Sequence, residues 1–331
     1  MKTVLIVDSV CYKPYKASTL ETEALGGTEA TVIRVAKGLS KHCNVVIAQK
    51  GREGLSYDGE HVDYIGMTSH RVKWKYDAVV VLRDYIKAAE MKAVHRDTPV
   101  YLWCHDLAGQ MDLNCGSPTA VMGIEVVAVS EFHKIDLQEK YRASGNDRMP
   151  KVHVIYNPID NNLDKDDTVV DKNKLVFFSS PHKGLDYTLE CFRAALEFNK
   201  DFKLYIANPG YYPDLTTDNP SVVNLGPVPH HKALGHVRSA LCVFYPNFVY
   251  PETFGLVYAE ANAVGTPVLT HRHGAAPEVL RNKAQFVDVR DKKLLIDTLM
   301  RWYNGDRPQV DIDSKFRTEF IALRWKDLLK L

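Results

Sequence analysis

The sequence lacks any apolar run long enough to span a bilayer. Its longest, such as Val79-Val80-Val81-Leu82, fall far short of the roughly 18 residues that a spanning helix needs. It also lacks a net charge of either sign, since 42 Lys+Arg against 41 Asp+Glu leave +1 with the 13 His neutral. That balance excludes polyanion binding by the chain as a whole, and no nucleic-acid partner is expected. No C-x-x-C pair occurs. The 6 cysteines, at positions 11, 43, 104, 115, 191 and 242, suggest neither a zinc ribbon nor a disulfide framework, and read as buried or idle thiols of a reducing compartment. No strand is followed closely by G-x-G-x-x-G, so a dinucleotide-binding reading is weak. Internal repeats and low-complexity tracts are missing. Met1-Lys2-Thr3-Val4 runs straight into a strand rather than a signal peptide, so a cytoplasmic location is expected.

What is present is an α/β rhythm. At about 150 residues per domain, 331 residues suggest two domains, and 45% hydrophobic residues supply each with a core. Short β-branched runs predict strands over 3–7, 45–48, 78–82, 100–103, 125–129 and 152–156, with a helix over 28–41 and a short one after residue 82. The strands are apolar nearly throughout, as parallel strands covered on both faces are. Residues 160–174 turn strongly polar and read as a hinge. The rhythm then restarts, with strands over 175–178, 203–207, 222–225, 241–245 and 267–270 and helices over 186–199, 232–240 and 255–264. The predicted division is an N-terminal domain over 1–160, a hinge over 161–174, a C-terminal domain over 175–312 and a terminal helix over 313–331. Phe316, Phe320, Leu323, Trp325, Leu328 and Leu329 give that helix a broad apolar face.

The richest segment runs from Tyr250-Pro-Glu-Thr-Phe-Gly-Leu-Val-Tyr-Ala-Glu260 to Gly265-Thr-Pro267. Gly255 opens a helix, Gly265 caps its end, and Pro267 prevents its continuation. The Gly255 and Leu256 amides lie at the positive end of the helix dipole, where a missing Cβ lets a diphosphate approach. Glu252 precedes that end, and Glu260 lies about 6 Å beyond Leu256 along the axis. Carboxylates at these two places accept hydrogen bonds from vicinal hydroxyls, so a nucleotide sugar fits with its hexose by Glu252 and its ribose by Glu260. In an arbitrary E-x7-E the two would be a loop charge and a solvated helix residue; the Gly and Pro punctuation sets this one apart.

The segment resembles the E-x7-E signature of retaining glycosyltransferases of the GT-B fold, specifically glycosyltransferase family 4, and the likeness covers nearly the whole chain. The resemblance implies two Rossmann-like β/α/β domains facing a central cleft, the C-terminal one holding a nucleoside-diphosphate sugar, the N-terminal one the acceptor, and a C-terminal helix crossing back to the N-terminal domain. Leu25-Gly26-Gly27-Thr28-Glu29 is similar to the family's G-G-x-E loop, placing Gly26 and Gly27 by the donor phosphates; Glu29 answers equally to a favourable helix-dipole position. His105, after the strand ending at Trp103, matches the histidine that touches the donor sugar, a place where α/β folds bind ligands. Ser179-Ser180-Pro181-His182-Lys183-Gly184 resembles the basic phosphate loop, with Lys183 in its usual role and Ser179 and Ser180 where the family carries an arginine. The departure makes Lys183 more critical to the leaving phosphate.

By the same resemblance, Glu252, Thr253, Phe254 and His105 meet the sugar, and Lys183, Glu252 and His105 carry the chemistry. Pro227 and Val228, in Leu225-Gly-Pro-Val-Pro229, join Glu260 at the nucleoside. The implied activity is metal-independent retaining transfer to a hydroxyl of a glycan, lipid or protein-linked sugar, with no cofactor. His271, His273, His230 and His231 form no metal set, because no carboxylate or cysteine is spaced to complete one. The basic, aromatic stretch His70–Lys75 reads as a solvated loop, against an acceptor edge or a weak peripheral membrane contact. Two rival readings use the same pocket: a sugar-nucleotide epimerase or hydrolase, and a non-catalytic nucleotide-sugar-binding subunit.

Overall fold

The computed structural model describes residues 1–59, 61–110, 116–144, 148–208 and 217–331. In chain order the elements are β1 (Thr3–Asp8), α1 (Thr19–Thr22), α2 (Gly27–Leu39), β2 (Asn44–Gln49), β3 (Leu55–Tyr57), β4 (Val62–Gly66), β5 (Ala78–Leu82), α3 (Tyr85–Val94), β6 (Val100–Trp103), α4 (Gly116–Val121), β7 (Glu125–Ala128), α5 (Glu131–Ala143) and β8 (Val152–Val154). There follow β9 (Asp171–Phe177), α6 (Leu185–Phe198), β10 (Lys203–Asn208), β11 (Val222–Pro227), α7 (His230–Arg238), β12 (Ala240–Tyr245), α8 (Leu256–Ala263), β13 (Val268–Thr270), α9 (Ala276–Val279), α10 (Lys292–Arg301) and α11 (Thr318–Leu329). They form two units, one of Met1–Ala17, Thr28–Pro158 and Lys315–Leu331, the other of Ser18–Gly27 and Ile159–Ser314.

The first unit holds an eight-stranded sheet in the order β3-β4-β2-β1-β5-β6-β7-β8. Every neighbouring pair is parallel except β3 with β4. Central β1 puts Ile6 beside Ile47 of β2 and Val80 of β5. Both faces of β5 are buried, which is why the strand reads as a continuous apolar run. Helix α2 is buried almost all round, Arg34 and Thr31 included. One of its covers is α11, since a Cβ at Gly38 would stand 2.7 Å from the Ala322 Cβ. Trp325 of the same helix is buried with its ring centroid 4.7 Å from that of Trp103. A buried side chain of this size contributes on the order of 3 kcal/mol.

The second unit's five strands are all parallel, in the order β11-β10-β9-β12-β13. β9 begins at Asp171, four residues inside the segment read from sequence as hinge. Its polar start is tolerated because the Lys174 ammonium donates to Ser239 Oγ at 2.7 Å and lies over the Tyr205 ring. The chain leaves β9 through α6 for β10 on one side and leaves β12 through α8 for β13 on the other. The strand order therefore reverses between β9 and β12, the place where open parallel sheets bind ligands beyond their carboxyl ends.

Several elements carry too weak a pattern to be predicted. β4 is an outer strand with Asp63 at its second position, and β3 has three residues and no buried one. α5 buries only His133, Leu137 and Tyr141, a stripe four residues apart in an otherwise polar sequence. Ser130 caps this helix, accepting from the His133 amide at 2.9 Å. α10, also unanticipated, is capped by Asp291. In the basic stretch at 70–75, residues 70–73 form a 3-10 turn, while His70, Lys73, Trp74 and Lys75 are exposed as a solvated segment would be. Val72 is buried there, and Arg71 pairs with Asp63 while covering the Trp74 ring. Cys115 lies outside the described residues; the other five cysteines are free and buried. Among the described residues no helix is long and apolar enough to cross a membrane.

Candidate functional site

The reversal point of the second sheet gathers three loops. The loop after β9 turns on Gly184, whose φ of 96° is left-handed, and runs into α6. A Cβ at Gly184 would lie 3.4 Å from Asn247 Oδ1, so this loop lies against the one leaving β12. Ser180 O accepts from the Lys183 amide at 2.9 Å, closing the turn that points Lys183 outward from the strand.

The loop after β12 carries Glu252, whose carboxylate is buried and held from two sides. Lys183 Nζ donates to Oε2 at 2.7 Å. Tyr245 Oη, at the last position of β12, donates to Oε1 at 2.8 Å. Asn247 Nδ2 in turn donates to Tyr245 Oη at 3.2 Å, and Ser179 Oγ lies 3.5 Å from the same oxygen. Burial first, and then the charge of Glu252, push the Tyr245 phenol well above its usual range. Tyr245 therefore stays protonated and acts as a fixed donor.

The third loop, between β13 and α9, grips the Glu252 backbone. Gly274 has φ of 60°, and a Cβ there would come 2.8 Å from Glu252 O and 2.9 Å from Glu252 N. Glu252 O accepts from the Ala275 amide at 3.0 Å. Backbone, phenol and ammonium together leave this carboxylate one position.

Gly255 precedes α8 with φ of 83°, and a Cβ on it would overlap the Tyr258 ring. No other residue type fits this backbone and this space at once. The first amides of α8 lack intrahelical acceptors by the geometry of any helix start. Gly27 lies against this end, since a Cβ there would meet Leu256 Cδ1 at 3.2 Å. Gly26 and Gly27 both belong to the second unit, a placement their position in the sequence does not disclose. Glu260 is also buried, and His230 Nε2 lies 3.0 Å from its Oε1. His230 opens α7, three residues after exposed Pro227 and two after half-buried Val228. Phe254 is fully buried beneath the loop, so its backbone is what it can offer a ligand; Thr253 is half-buried.

Lys183, Ser179, Glu252, Gly255, Leu256, Gly27 and Glu260 thus share one unit. His105 belongs to the other, buried beyond the end of β6 with its ring centroid 4.7 Å from that of Trp103. Burial, Arg83 and His133 hold its pKa well below the usual imidazole value, so it is neutral. Tyr245, Asn247 and Gly274 were not read from the sequence. The one available signal was a tyrosine ending a strand that is otherwise wholly apolar. Among the described residues no group of three or more His, Cys, Asp or Glu is arranged to hold a metal ion.

Residues 172–304, which contain Lys183, Glu252 and Glu260, match the family described as glycosyl transferases group 1. An uncharacterized glycosyltransferase of Methanocaldococcus jannaschii is 28% identical over 240 residues, 62% of this chain and 60% of its own length. Among solved structures, Anabaena HepE in complex with UDP and glucose aligns over 100% of both chains, with a TM-score of 0.64 and 15% identity. WaaG, a glycosyltransferase of lipopolysaccharide biosynthesis, aligns over 98% of this chain and 99% of its own, with a TM-score of 0.62 and 15% identity. The fold is that of the GT-B glycosyltransferases. The stretch matching group 1 spans both strands at the second unit's reversal point and the side chains that hold Glu252.

Proposed function

We propose that this chain is a retaining glycosyltransferase of the family 4 type, moving a sugar from a nucleoside diphosphate sugar to an acceptor hydroxyl without a metal ion. The observation that carries the proposal is the Lys183–Glu252 pair at 2.7 Å, beside a helix start that only glycine can form, within the group 1 match. The diphosphate lies at the first amides of α8, with Gly26, Gly27, Ser179 and Ser180 near it. On donor binding Lys183 turns from Glu252 to the leaving phosphate. Glu252, still held by Tyr245, then accepts from sugar hydroxyls, and Glu260 accepts from the ribose, with Pro227 and Val228 by the base. The assignment of His105 to the sugar rests on the family resemblance.

In the reaction the bond between the anomeric carbon and the phosphate oxygen breaks, and its electron pair leaves with the diphosphate. The acceptor oxygen forms its bond on the same face, and its proton passes to the departing phosphate. No protein carboxylate need act as a nucleophile. Charge growing on the leaving oxygen is met by Lys183 and the α8 dipole, preorganised donors of the kind that contribute most to such steps. We place the reaction in the cytoplasm, because five free, buried thiols suit a reducing compartment.

The test is a thermal-shift panel of UDP-, GDP- and ADP-sugars, followed by transfer assays in which NMR reads the product anomer. A ligand at 100 Kd stabilises by about 2.7 kcal/mol, so base and sugar are identified together. An inverted product overturns retention, and donor breakdown without an acceptor, in place of transfer, supports an epimerase or hydrolase.

A further inference from the structure

The loop that carries His105 is held by helix α5. Residues 104–107 belong to no helix or strand, so the backbone groups around His105 need partners from other parts of the chain. Cys104 N, at the exit from β6, donates to Val127 O at 2.9 Å. Two side chains of α5 then take over. His133 Nε2 donates to Asp106 O at 2.9 Å, and Asp136 Oδ2 accepts from the Ala108 amide at 2.7 Å. His133 and Asp136, three residues apart, share one face of the helix. His105 stands between the first two of three anchors, at 104, 106 and 108.

His133 is closely specified for this task. It is fully buried, and burial holds its pKa down at about 4, so the ring is neutral. A neutral imidazole has one donor and one acceptor. The Val129 amide donates to Nδ1 at 3.3 Å, which leaves the proton on Nε2 and directs it at Asp106 O. Ser130 Oγ accepts from the His133 amide at 2.9 Å and so sets where the first turn of α5 begins. An apolar residue of similar volume would fill the same space without the cost of burying an imidazole, but it would leave Asp106 O and the Val129 amide unanswered.

We propose that His133 and Asp136 are positioning residues for His105, fixing the imidazole to which the transferase reading assigns the donor sugar, so that turnover depends on two side chains that touch no substrate. The inference rests on that reading for the role of His105. Misplacing a group in contact with substrate by about 1 Å can cost about 10²-fold in rate, so hydrogen bonds that locate such a group are felt in kcat.

Two measurements test the proposal. Asp136 is only half-buried and alanine favours a helix, so Asp136→Ala removes the grip with the fold intact. In protein carrying isotope-labelled histidine, NMR reads the His105 ring, whose signals are identified by their loss in His105→Ala. They are expected to shift in Asp136→Ala and to return toward wild type in Asp136→Asn, whose side-chain oxygen again accepts from the Ala108 amide.

In steady state, with whichever of UDP-, GDP- and ADP-glucose is turned over, Asp136→Ala is expected to lower kcat about tenfold while the donor KM stays within about twofold, and Asp136→Asn to recover most of the loss. In a His105→Ala background Asp136→Ala is expected to lower kcat by less than about twofold more, although its cost in urea midpoint is the same in both backgrounds. A purely structural role would instead multiply the two losses. The inference is overturned if the ring signals do not move, if Asp136→Asn restores nothing, or if the kcat loss is the same with and without His105. Wild-type turnover in His105→Ala, or turnover of none of the three donors, strikes the role given to His105 instead, and the ring signals still decide whether α5 places it.

Discussion

The ammonium of Lys183 and the carboxylate of Glu252, 69 residues apart in sequence, are bonded to each other at 2.7 Å. The sequence reading assigns one to phosphate and the other to sugar; in the structure they are partners of each other. A protein that must release Lys183 to a phosphate needs Glu252 to keep a second partner, and Tyr245 is that partner.

Lys183→Ala and Glu252→Gln are expected to lower turnover by about 10²-fold or more, of order 3 kcal/mol. The double variant is expected to fall well short of the product of the two losses, because the side chains are in contact. Steady-state rates of the purified single and double variants check this, and wild-type turnover in either single variant removes that residue from the mechanism.

Tyr245→Phe takes one of two donors from a buried carboxylate. A loss of about 1–3 kcal/mol in stability is expected, read as a fall in the urea midpoint, together with a lower rate at saturating donor. An unchanged rate would confine Tyr245 to a structural role.

Glycine substitutions should separate by site. Gly274→Ala forces a left-handed backbone and presses on Glu252 O and N, at a cost of order 1–3 kcal/mol. Gly235→Ala, in exposed α7 with nothing within 4 Å of the added carbon, should stabilise by about 0.4–1 kcal/mol. Thermal unfolding of the two variants reads both signs.

Stability should fall on acidification through the lower imidazole range. Burial pushes His133 down to about 4; its Nδ1 accepts from the Val129 amide and its Nε2 donates to Asp106 O. The unfolded chain binds this proton near pH 6.5 and the folded one near 4, so stability is present above the higher value and is lost as the pH drops between them. His105 acts in the same direction. The His133 contribution is about 3 kcal/mol. Urea midpoints from pH 7 to 4 should show the slope, and His133→Gln should flatten it.

Trp325→Ala opens a cavity against Trp103 and is expected to cost about 3–5 kcal/mol. Calorimetry of the variant checks this, and a change under about 1 kcal/mol would mean the two rings do not support each other.

The parallel strands and most helices were legible because burial on both faces leaves long apolar runs, as in β5, and because Gly255, Gly265 and Pro267 mark the ends of α8 by rules of local conformation. β3, β4 and α5 were not legible, since a three-residue strand, a strand with an aspartate at its second position and a helix with three buried positions all fall below what periodicity resolves. In the site, Lys183, Glu252 and Glu260 stand in a recognisable order along the chain. Tyr245, Asn247 and Gly274 act through distance in space, and His133 reaches a loop 27 residues before it. Nothing in a linear order announces such meetings.

The division of the chain into units has a consequence for its biosynthesis. Residues 18–27 belong with the second unit and 315–331 with the first, so the backbone passes from one to the other four times. During translation the first sheet can form, but the face that α11 covers stays bare until the final turn of that helix has left the ribosome. Chains arrested before α11 emerges would therefore present quality-control factors with the apolar face around Trp103 and Gly38.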